Sequence, residues 1–365
     1  MIDSWFDVCS SFSSRVIALA AVFLCTFTLA CEEEATGFVL EMEELSAEQG
    51  LSLHIPRFPV PSGEEVQDCY FIEIPRVGDA EILWVGRALI GMNPGSHHFN
   101  MYRVTTTTEL SPEQGEDIDM GGMPAKLVRG GPCRDSSQFN EWPLIVNSQE
   151  SDEENPYYDW KLPDGVAFPL RAGELVMLQP HYVNVSRQVT PYDGEVRVNF
   201  YRAQDDDPVE LGTLFATQQS IRVCRSTPDT TYDGTCAFPR GTDVHITAVN
   251  GHFHLRGRRF AISTWDGVSD ERPPTSAEFY QSFSWEEPVM DTGLDVRVPD
   301  GGGIWWTCEY EWRPPTTSCA EVDSVDEEQQ NDCCYTFGPR VSTQEHCNVF
   351  LYYWPRVRDT DVFCN

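Results

Sequence analysis

The stretch VHITAVNGHFHLRGRRF, residues 244–260, joins a strand-like run to two histidines that stand one residue apart. VHITAV is short, apolar and rich in β-branched residues, as strands are. In a strand, side chains at i and i+2 point to the same face, about 7 Å apart along the strand, so His252 and His254 could converge on one metal ion. Two unrelated surface histidines would give the same pattern, and the pair alone leaves both interpretations open.

Similar β-rich runs recur through most of the chain and are separated by Gly, Pro, Asn and Asp. No long segment shows the apolar period of a helix. The sequence therefore predicts an all-β fold of the sandwich or jelly-roll type. The runs are CYFIEIP, EILWVGRALIGM, ELVMLQPHYVNV, EVRVNFYRA, RRFAISTW and CNVFLYYW.

Length and charge limit the functions that the chain can have. The 365 residues suffice for two domains, and 41% hydrophobic with 12% aromatic residues predicts packed cores. A formal net charge of −33 argues against nucleic acid as a partner, since that binding depends on Lys and Arg contacts to phosphate. It argues equally against electrostatic attachment to an anionic membrane. Such acidity is typical of a protein that must stay soluble after export.

The N-terminus predicts export. Arg15 precedes an apolar run at 16–30, which is too short for a comfortable membrane span and typical of a signal peptide covering residues 1–30. The following Cys31 and its three glutamates resemble a bacterial lipoprotein signal, in which that cysteine carries the lipid. We therefore expect a bacterial periplasmic, secreted or outer-membrane protein that contacts a membrane only through this anchor.

The rest of the chain divides by composition. Residues 31–66 are acidic and proline-marked, which predicts a tether with an exposed, inert His54. The acidic stretch AQDDDPVE predicts a boundary between two domains, at 67–205 and 206–365.

The cysteines predict disulfides. Thirteen are present; two lie in the signal peptide and Cys31 is set apart, which leaves ten. An even number in an exported chain favours disulfides over a thiolate zinc site, because the chain has no CxxC pair.

Six of the eight histidines could form two sets of three, namely His97, His98 and His181, and His252, His254 and His346. Imidazole suits copper, zinc, iron or nickel, and three such ligands leave coordination positions open for chemistry. In a regular strand adjacent histidines face opposite sides, so the first set requires a bulge or a strand end. An exposed turn pair and a core histidine at 181 remain alternatives.

Six segments taken in order resemble the copper type II ascorbate-dependent monooxygenases, the family of peptidylglycine α-hydroxylating monooxygenase and dopamine β-monooxygenase. The likeness runs from about Cys69 to Trp354. The segments are CYFIEIP, HHFNMY, GVAFPLRAGELVMLQPHYVN, VHITAVNGHFHLRGRRF, WTCEYEW and EHCNVFLYYW.

The resemblance implies two tandem jelly-roll-like β-sandwich domains that hold one copper each and face one another across a solvent-filled cleft. The set at His97, His98 and His181 would hold the electron-transfer copper, and the set at His252, His254 and His346 the copper that binds O2. Ascorbate or a similar reductant would support hydroxylation of a C–H bond in a small-molecule or peptide substrate. The family's brace of the second site implies a Cys308–Cys347 disulfide, and Cys236–Cys364 is plausible by position.

Two departures from the family affect this expectation. His346 stands where the family has a methionine, and imidazole is a harder ligand than a thioether, which favours Cu(I). The site could hydroxylate with altered redox properties, bind copper without turnover, or prefer another metal such as zinc. A non-catalytic copper-binding or surface-interaction protein on the same scaffold is therefore the alternative function.

The substrate positions depart as well. Asn250 and Phe350 replace the arginine and tyrosine that hold the substrate carboxylate in peptidylglycine enzymes, so such a carboxylate is not expected here, whereas Asn348 matches the family. The arginines after the HxH pair, Arg256, Arg258 and Arg259, are interpreted as a solvated edge rather than an anion site. His245 is interpreted as structural or as a support for the metal ligands.

Overall fold

A computed structural model of the chain describes residues 38–136, 138, 141–149, 154–184, 192–285, 289–315, 318–319, 322, 332–357 and 362–365. Residues Phe38–Asn365 form one compact unit. The predicted signal peptide at 1–30 and the candidate lipidation site Cys31 lie outside the described residues. Within the described part, no helix is long and apolar enough to cross a membrane.

The fold is all-β, as the sequence predicts. We call residues 50–210 the N-terminal half. Its elements are β1 (Gly50–Val60), β2 (Glu64–Gln67), β3 (Cys69–Glu73), β4 (Ile82–Met92), β5 (Ser96–Arg103), a 3-10 turn (Pro112–Gln114), β6 (Glu116–Asp119), β7 (Pro124–Val128), α1 (Gly131–Arg134), β8 (Leu144–Gln149), β9 (Tyr157–Lys161), β10 (Val166–Arg171), β11 (Leu175–Asn184), β12 (Tyr192–Arg202) and β13 (Val209–Glu210).

Two sheets form this half. One has the order β1-β12-β4-β10-β13, with β9 also paired to β4, and the other has the order β6-β7-β3-β11-β5-β8, with β2 on β11. Apolar side chains from both sheets, such as Val85 and Val198 of the first and Phe99 and Met177 of the second, belong to one buried cluster. Burial of this shared apolar face holds the sandwich together.

Residues 212–364 are called the C-terminal half. Its elements are β14 (Gly212–Thr217), β15 (Arg222–Val223), β16 (Asp229–Ala237), β17 (Val244–His252), β18 (Gly257–Trp265), a 3-10 turn (Thr275–Ala277), β19 (Glu278–Ser282), β20 (Met290–Val298), β21 (Gly303–Glu311), β22 (Tyr335–Thr336), β23 (Asn348–Trp354) and β24 (Val362–Cys364).

The C-terminal half is also built from two main sheets. Their orders are β20-β17-β23-β14-β24 and β16-β21-β18-β19, and a two-stranded sheet pairs β15 with β22. Side chains of both sheets, among them Ile246, Leu351, Ile262 and Trp306, share a second buried cluster. Among the described strands, every pairing stays within one half.

The predicted tether at 31–66 is wrong from Gly50 onward. Residues Gly50–Val60 form β1, which pairs antiparallel with β12 at the edge of the first sheet. Proline is tolerated on an edge strand and at a bulge, and Pro56 falls at the register shift between Ile55 and Phe58. His54 is not inert, because its Nε2 lies 2.9 Å from a carboxylate oxygen of Glu195.

The predicted boundary at 205/206 also moves. Val209 and Glu210 form β13 and pair in parallel with β10, so the chain stays in the N-terminal half beyond residue 206. The first strand of the C-terminal half begins at Gly212. The acidic run marks a loop before β13 rather than the junction itself.

Ten cysteines form five disulfides, which include Cys308–Cys347 and Cys236–Cys364. The other three are Cys69–Cys133, Cys224–Cys334 and Cys319–Cys333. Disulfides persist in oxidising compartments, and this number is compatible with an exported protein.

Candidate metal centre

Six histidines form one cluster between the two halves. The closest approach across the junction joins His97 and His252, whose ring centroids are 4.9 Å apart. Further centroid distances are His97–His98 5.2 Å, His97–His181 5.1 Å, His98–His181 4.8 Å, His98–His252 5.2 Å, His252–His254 5.2 Å and His254–His346 4.3 Å. The expectation of two centres separated by a solvent-filled cleft therefore differs from the structure, in which the two sets touch.

A bulge brings the adjacent histidines of β5 together. His98 pairs with His181 of β11, but the next pair along is Ser96 with Tyr182, so His97 has no residue opposite it. An extra residue of this kind bends the strand and redirects its side chain. His97 and His98 can consequently both approach His181, as the sequence requires for a metal site.

The HxH pair sits where β17 ends. His252 is the last residue of the strand and pairs with Asn348 of β23, while His254 begins a turn in which its carbonyl accepts from the Gly257 N–H at 2.8 Å. The two rings are therefore not on one regular strand face, although their centroids are 5.2 Å apart. The sequence correctly predicts that the two histidines lie close together, but not that a turn rather than a continuous strand brings them there.

Glycines on both sides of this turn permit the close packing around it. A Cβ on Gly251 would lie 2.4 Å from the Phe260 ring, and one on Gly257 would lie 1.9 Å from the Phe253 ring. The aromatic rings thus lie directly against backbone at both ends of the histidine turn. This packing limits how far His252 and His254 can move.

His346 is held by its neighbours in the chain. Its carbonyl oxygen accepts a hydrogen bond from the Tyr310 hydroxyl, and the next residue, Cys347, is bound to Cys308 of the same strand, β21. The His346 ring is half-buried and lies beside His254 and Phe337, at centroid distances of 4.3 and 4.9 Å.

The ligand atoms group differently from the sequence-based sets. The nitrogens of His97, His98 and His181 lie within 4.8 Å of one another, as expected for the first set. For the HxH pair, the third nitrogen within the same limit comes from His97, across the junction, rather than from His346. His97 thus belongs to both groups.

The cluster fits a metal ion because many of its buried ring nitrogens have no hydrogen-bond partner among the described residues. Both nitrogens of His181 and His252 are buried without a hydrogen-bond partner among the described residues. The same holds for one nitrogen each of His97, His98, His254 and His346. An unpaired buried polar group costs roughly 1–3 kcal/mol, and a metal ion would remove that cost.

The surroundings of four of the rings favour their neutral form. Burial, followed by the proximity of the other imidazoles, lowers the pKa well below its usual value for His97, His98, His252 and His254. Neutral imidazole is the form that binds a metal. For His254 the tautomer is also set, since its Nδ1 lies 3.1 Å from the Gln344 carbonyl and Nε2 is left as the free ligand atom.

Arg256 corrects the interpretation of a solvated edge. It is 1% exposed, lies 3.6 Å from the centroid of the Tyr335 ring and donates to the carbonyls of Val341 and Ser342. The expectation failed because alternation applies only to a continuing strand, and β17 stops at His252. By contrast, Arg258 is exposed, in accord with the expectation.

Arg259 differs from Arg258. Its guanidinium is part-buried and pairs with Glu278 at 2.6 Å and Glu309 at 3.0 Å. It therefore ties β18 to its neighbours β19 and β21.

Sequence reasoning missed two acidic residues near the cluster. Glu345 is fully buried and its two oxygens accept from the backbone N–H groups of His254 at 3.1 Å and Arg256 at 2.9 Å. Glu65 of β2 places a carboxylate oxygen 3.6 Å from Nε2 of His181. Its position in the supposed tether hid Glu65, whereas EHCN could have drawn attention to Glu345.

Besides His54, His245 also lies apart from the cluster. His245 stacks on Trp354 with centroids 4.5 Å apart, and its Nδ1 bonds to the Asp295 carboxylate. This position supports a structural role.

A cavity of about 300 Å³ opens onto the cluster. Four of the histidines line it, and most of the other polar lining consists of carboxamides together with the pair Arg134 and Asp135. The lining histidines are His98, His181, His252 and His346, the carboxamides are Gln67, Asn100, Gln179, Gln219, Gln344 and Asn348, and the aromatic walls are Tyr102, Phe215, Phe337 and Phe350. Both halves contribute to the cavity.

Side chains from both halves also bond and pack against one another across the junction. The Asn147 Nδ2 donates to Asn250 Oδ1 at 2.9 Å, and the Tyr352 hydroxyl donates to Asn147 Oδ1 at 2.6 Å. Trp160 packs on Tyr352 with ring centroids 4.4 Å apart. The Asn250 side chain is thus used between the halves.

No protein-family model and no curated protein matches the chain. Among solved structures, one similar chain is a "putative secreted protein from Eubacterium rectale", at 9% identity and a TM-score of 0.22, with 81% of this chain and 68% of that chain covered. Another belongs to infectious bursal disease virus Gx strain, at 9% identity and a TM-score of 0.17, with 87% and 84% covered. Likenesses this low carry no argument about fold or function.

Proposed function

We propose that the chain is an exported copper-dependent monooxygenase that hydroxylates a C–H bond of its substrate, using O2 and ascorbate or a similar reductant. The observation that carries this proposal is the buried cluster of six histidines with unpartnered nitrogens beside a cavity. Two coppers per chain would supply oxygen activation and one-electron transfer. The sequence resemblance supports copper over other metals that imidazole binds, and it supports the reading of the two halves as tandem jelly-roll-like domains.

The protein's contribution is to hold neutral imidazoles in place. The Gln344 carbonyl oxygen lies 3.1 Å from His254 Nδ1 and so fixes the tautomer of this ring. The hydrogen bonds that Glu345 accepts from the turn fix the backbone that carries the ring. Partners of this kind around a metal ligand set its orientation and basicity.

The cavity supports an uncharged, hydrogen-bonding substrate. Its polar lining is dominated by carboxamides, and the charges of Arg134 and Asp135 are paired with each other at 3.1 Å. Asn100 and Asn348 each have a buried Oδ1 without a partner among the described residues, so each can accept from a substrate O–H or N–H. Phe350 offers no hydroxyl for a carboxylate, in contrast to the tyrosine of the peptidylglycine enzymes.

A non-catalytic copper-binding or surface-interaction protein is the second candidate. The all-histidine donor set favours it, because His346 replaces the thioether that favours Cu(I) in the family. A hard donor set could retain Cu(II) without turnover. In either case Cys31 would tether the exported protein to a bacterial membrane by its lipid.

The decisive experiment measures bound copper per chain and ascorbate-dependent O2 consumption on the same copper-loaded protein. The proposal expects about two coppers, O2 uptake, and loss of that uptake in His252→Ala. His245→Ala is the matched control, since it removes a histidine outside the cluster, and it should retain both. Copper binding without any O2 uptake in the unmodified protein would select the binding-protein alternative.

A further inference from the structure

We propose that five of the six histidines form one two-metal centre in which His97 is a ligand shared by both ions, while His346 stands beside it. This inference rests on the copper site of the proposed function, but it concerns the arrangement of ligands rather than turnover. It replaces two independent mononuclear sites, in which each ion would have three histidine ligands of its own.

The central position of His97 carries the inference. Its ring centroid lies within 5.8 Å of four other cluster histidines, two from each half. A ring nitrogen of His97 lies within 4.8 Å of ring nitrogens of His98 and His181 in one group, and a ring nitrogen of His97 meets the same limit with His252 and His254 in the other. Among the described residues, His97 is the one histidine common to both groups.

The bulge in β5 explains how one residue can serve both halves. His97 is the unpaired extra residue between Ser96 and His98, so its side chain is free of the regular alternation of the strand. It is 4% exposed, and its Nε2 has no hydrogen-bond partner among the described residues.

An imidazole has two nitrogens that point away from each other, and each can hold one ion. Binding both ions requires the ring to give up its remaining N–H proton to solvent, which leaves an imidazolate bridge. Each ion would then have two further histidine ligands, His98 and His181 on one side and His252 and His254 on the other. Loading of two Cu(II) ions thus releases one proton from His97, and no oxidation or reduction is involved.

His346 acquires a different role in this arrangement. Since His97 completes the HxH group, His346 is left outside both groups, with its ring against His254 and Phe337 and facing the cavity. The substitution of methionine by histidine would then alter the cavity wall more than the ligand set.

The test is electron paramagnetic resonance of the full chain loaded with Cu(II) alone. An imidazolate bridge couples two Cu(II) spins antiferromagnetically, so the integrated signal should fall far below the copper content. Replacing one of the two ions by Zn²⁺, which has no unpaired electron, should restore the signal of the remaining copper. Two coppers with a full, uncoupled signal would overturn the shared ligand, and so would a chain that holds one copper.

The variant His97→Gln removes the bridge and should abolish the coupling while other histidines still hold copper more weakly. Coupling that persists in this variant would also overturn the proposal. If the variant fails to fold, the measurements on the unmodified chain decide the question by themselves. Full O2 uptake together with uncoupled spins would refute the shared ligand and leave the monooxygenase intact.

Discussion

Glu345 accepts a hydrogen bond from the backbone N–H of Arg256 at 2.9 Å, although the two residues are 89 positions apart in the chain. The Arg256 guanidinium in turn donates hydrogen bonds to the carbonyls of Val341 and Ser342, in the loop that precedes Glu345. The turn that carries His254 and the loop that carries His346 are therefore fixed to each other by these buried hydrogen bonds, with Arg256 Nη1 3.7 Å from the Glu345 carboxyl. Burial raises the pKa of Glu345, and the Arg256 charge and the two N–H donors oppose that rise.

Removing this carboxylate should destabilise the protein. Glu345→Gln keeps the shape but leaves one buried N–H without an acceptor, at a cost of roughly 1–3 kcal/mol in the free energy of unfolding. Glu345→Ala leaves both buried N–H groups, those of His254 and Arg256, without an acceptor and opens a cavity beside Arg256, so it should cost more than Glu345→Gln. Urea unfolding measures both values.

The matched control for that prediction is Glu311→Gln. Glu311 forms a surface pair with Arg313 at 3.3 Å, with both side chains about half exposed. Its loss should change stability by less than about 0.5 kcal/mol. Equal unfolding midpoints for Glu345→Gln and Glu311→Gln would show that the buried pair does not brace the loop.

Gly251 should not tolerate a side chain. In Gly251→Ala the new Cβ would lie 2.4 Å from the Phe260 ring, so either β17 or the ring must shift. Overpacking of this kind costs about 1–3 kcal/mol, and it should also weaken metal binding at the adjacent His252. Thermal unfolding and zinc titration would measure the two effects.

Gly131→Ala provides the comparison, because a Cβ there meets its nearest neighbour at an ordinary 3.6 Å. It should leave both the unfolding midpoint and zinc affinity near those of the unmodified chain. A Gly251→Ala protein as stable as the Gly131→Ala protein would mean that the Phe260 packing is not tight.

The all-β class could be predicted because most strands coincide with short sequence runs that are rich in β-branched and aromatic residues. Edge strand β1 was not predicted, because Pro56 and Pro59 are typical of a linker. Only the pairing with β12 shows that the sheet accommodates these prolines. The bulge at His97 was foreseeable, because two adjacent histidines cannot share one face of a regular strand.

The contact between the two histidine sets could not be predicted. It depends on how the halves pack, which is decided by pairs such as Asn147 with Asn250 and Trp160 with Tyr352. Spacing along a chain carries no information about such contacts. The burial of Arg256 could not be predicted either. Arg256 lies just after β17, and the sequence does not show that this strand ends at His252.

Glu195 should make the edge strand β1 sensitive to acid. Burial alone would raise its pKa, but hydrogen bonds from Arg197 and Arg57 outweigh burial and lower it. A carboxyl with a lowered pKa stabilises the fold above its unfolded pKa of about 4.3, and this stabilisation is lost as the pH falls through the lower, folded value.

Glu195→Gln removes that acid-sensitive contribution. The variant should therefore be less stable than the unmodified chain at neutral pH, and the difference should shrink as the pH falls below about 4. Unfolding midpoints measured from neutral pH to pH 3 test this prediction. A difference that stays constant across the range would contradict the role of the Glu195 charge.

Zinc should stabilise the protein through the histidine cluster, because Zn²⁺ binds imidazole and has no redox chemistry of its own. An ion that binds only the folded state adds about 2.7 kcal/mol to the free energy of unfolding at a concentration 100 times its Kd. His254→Ala should lose most of the zinc-induced rise in the thermal midpoint, since it removes a ligand whose Nε2 has no other partner. His245→Ala should keep the rise, because His245 is already engaged by Trp354 and Asp295 outside the cluster. An equal rise in both variants would place the bound zinc on the acidic surface rather than at the histidines.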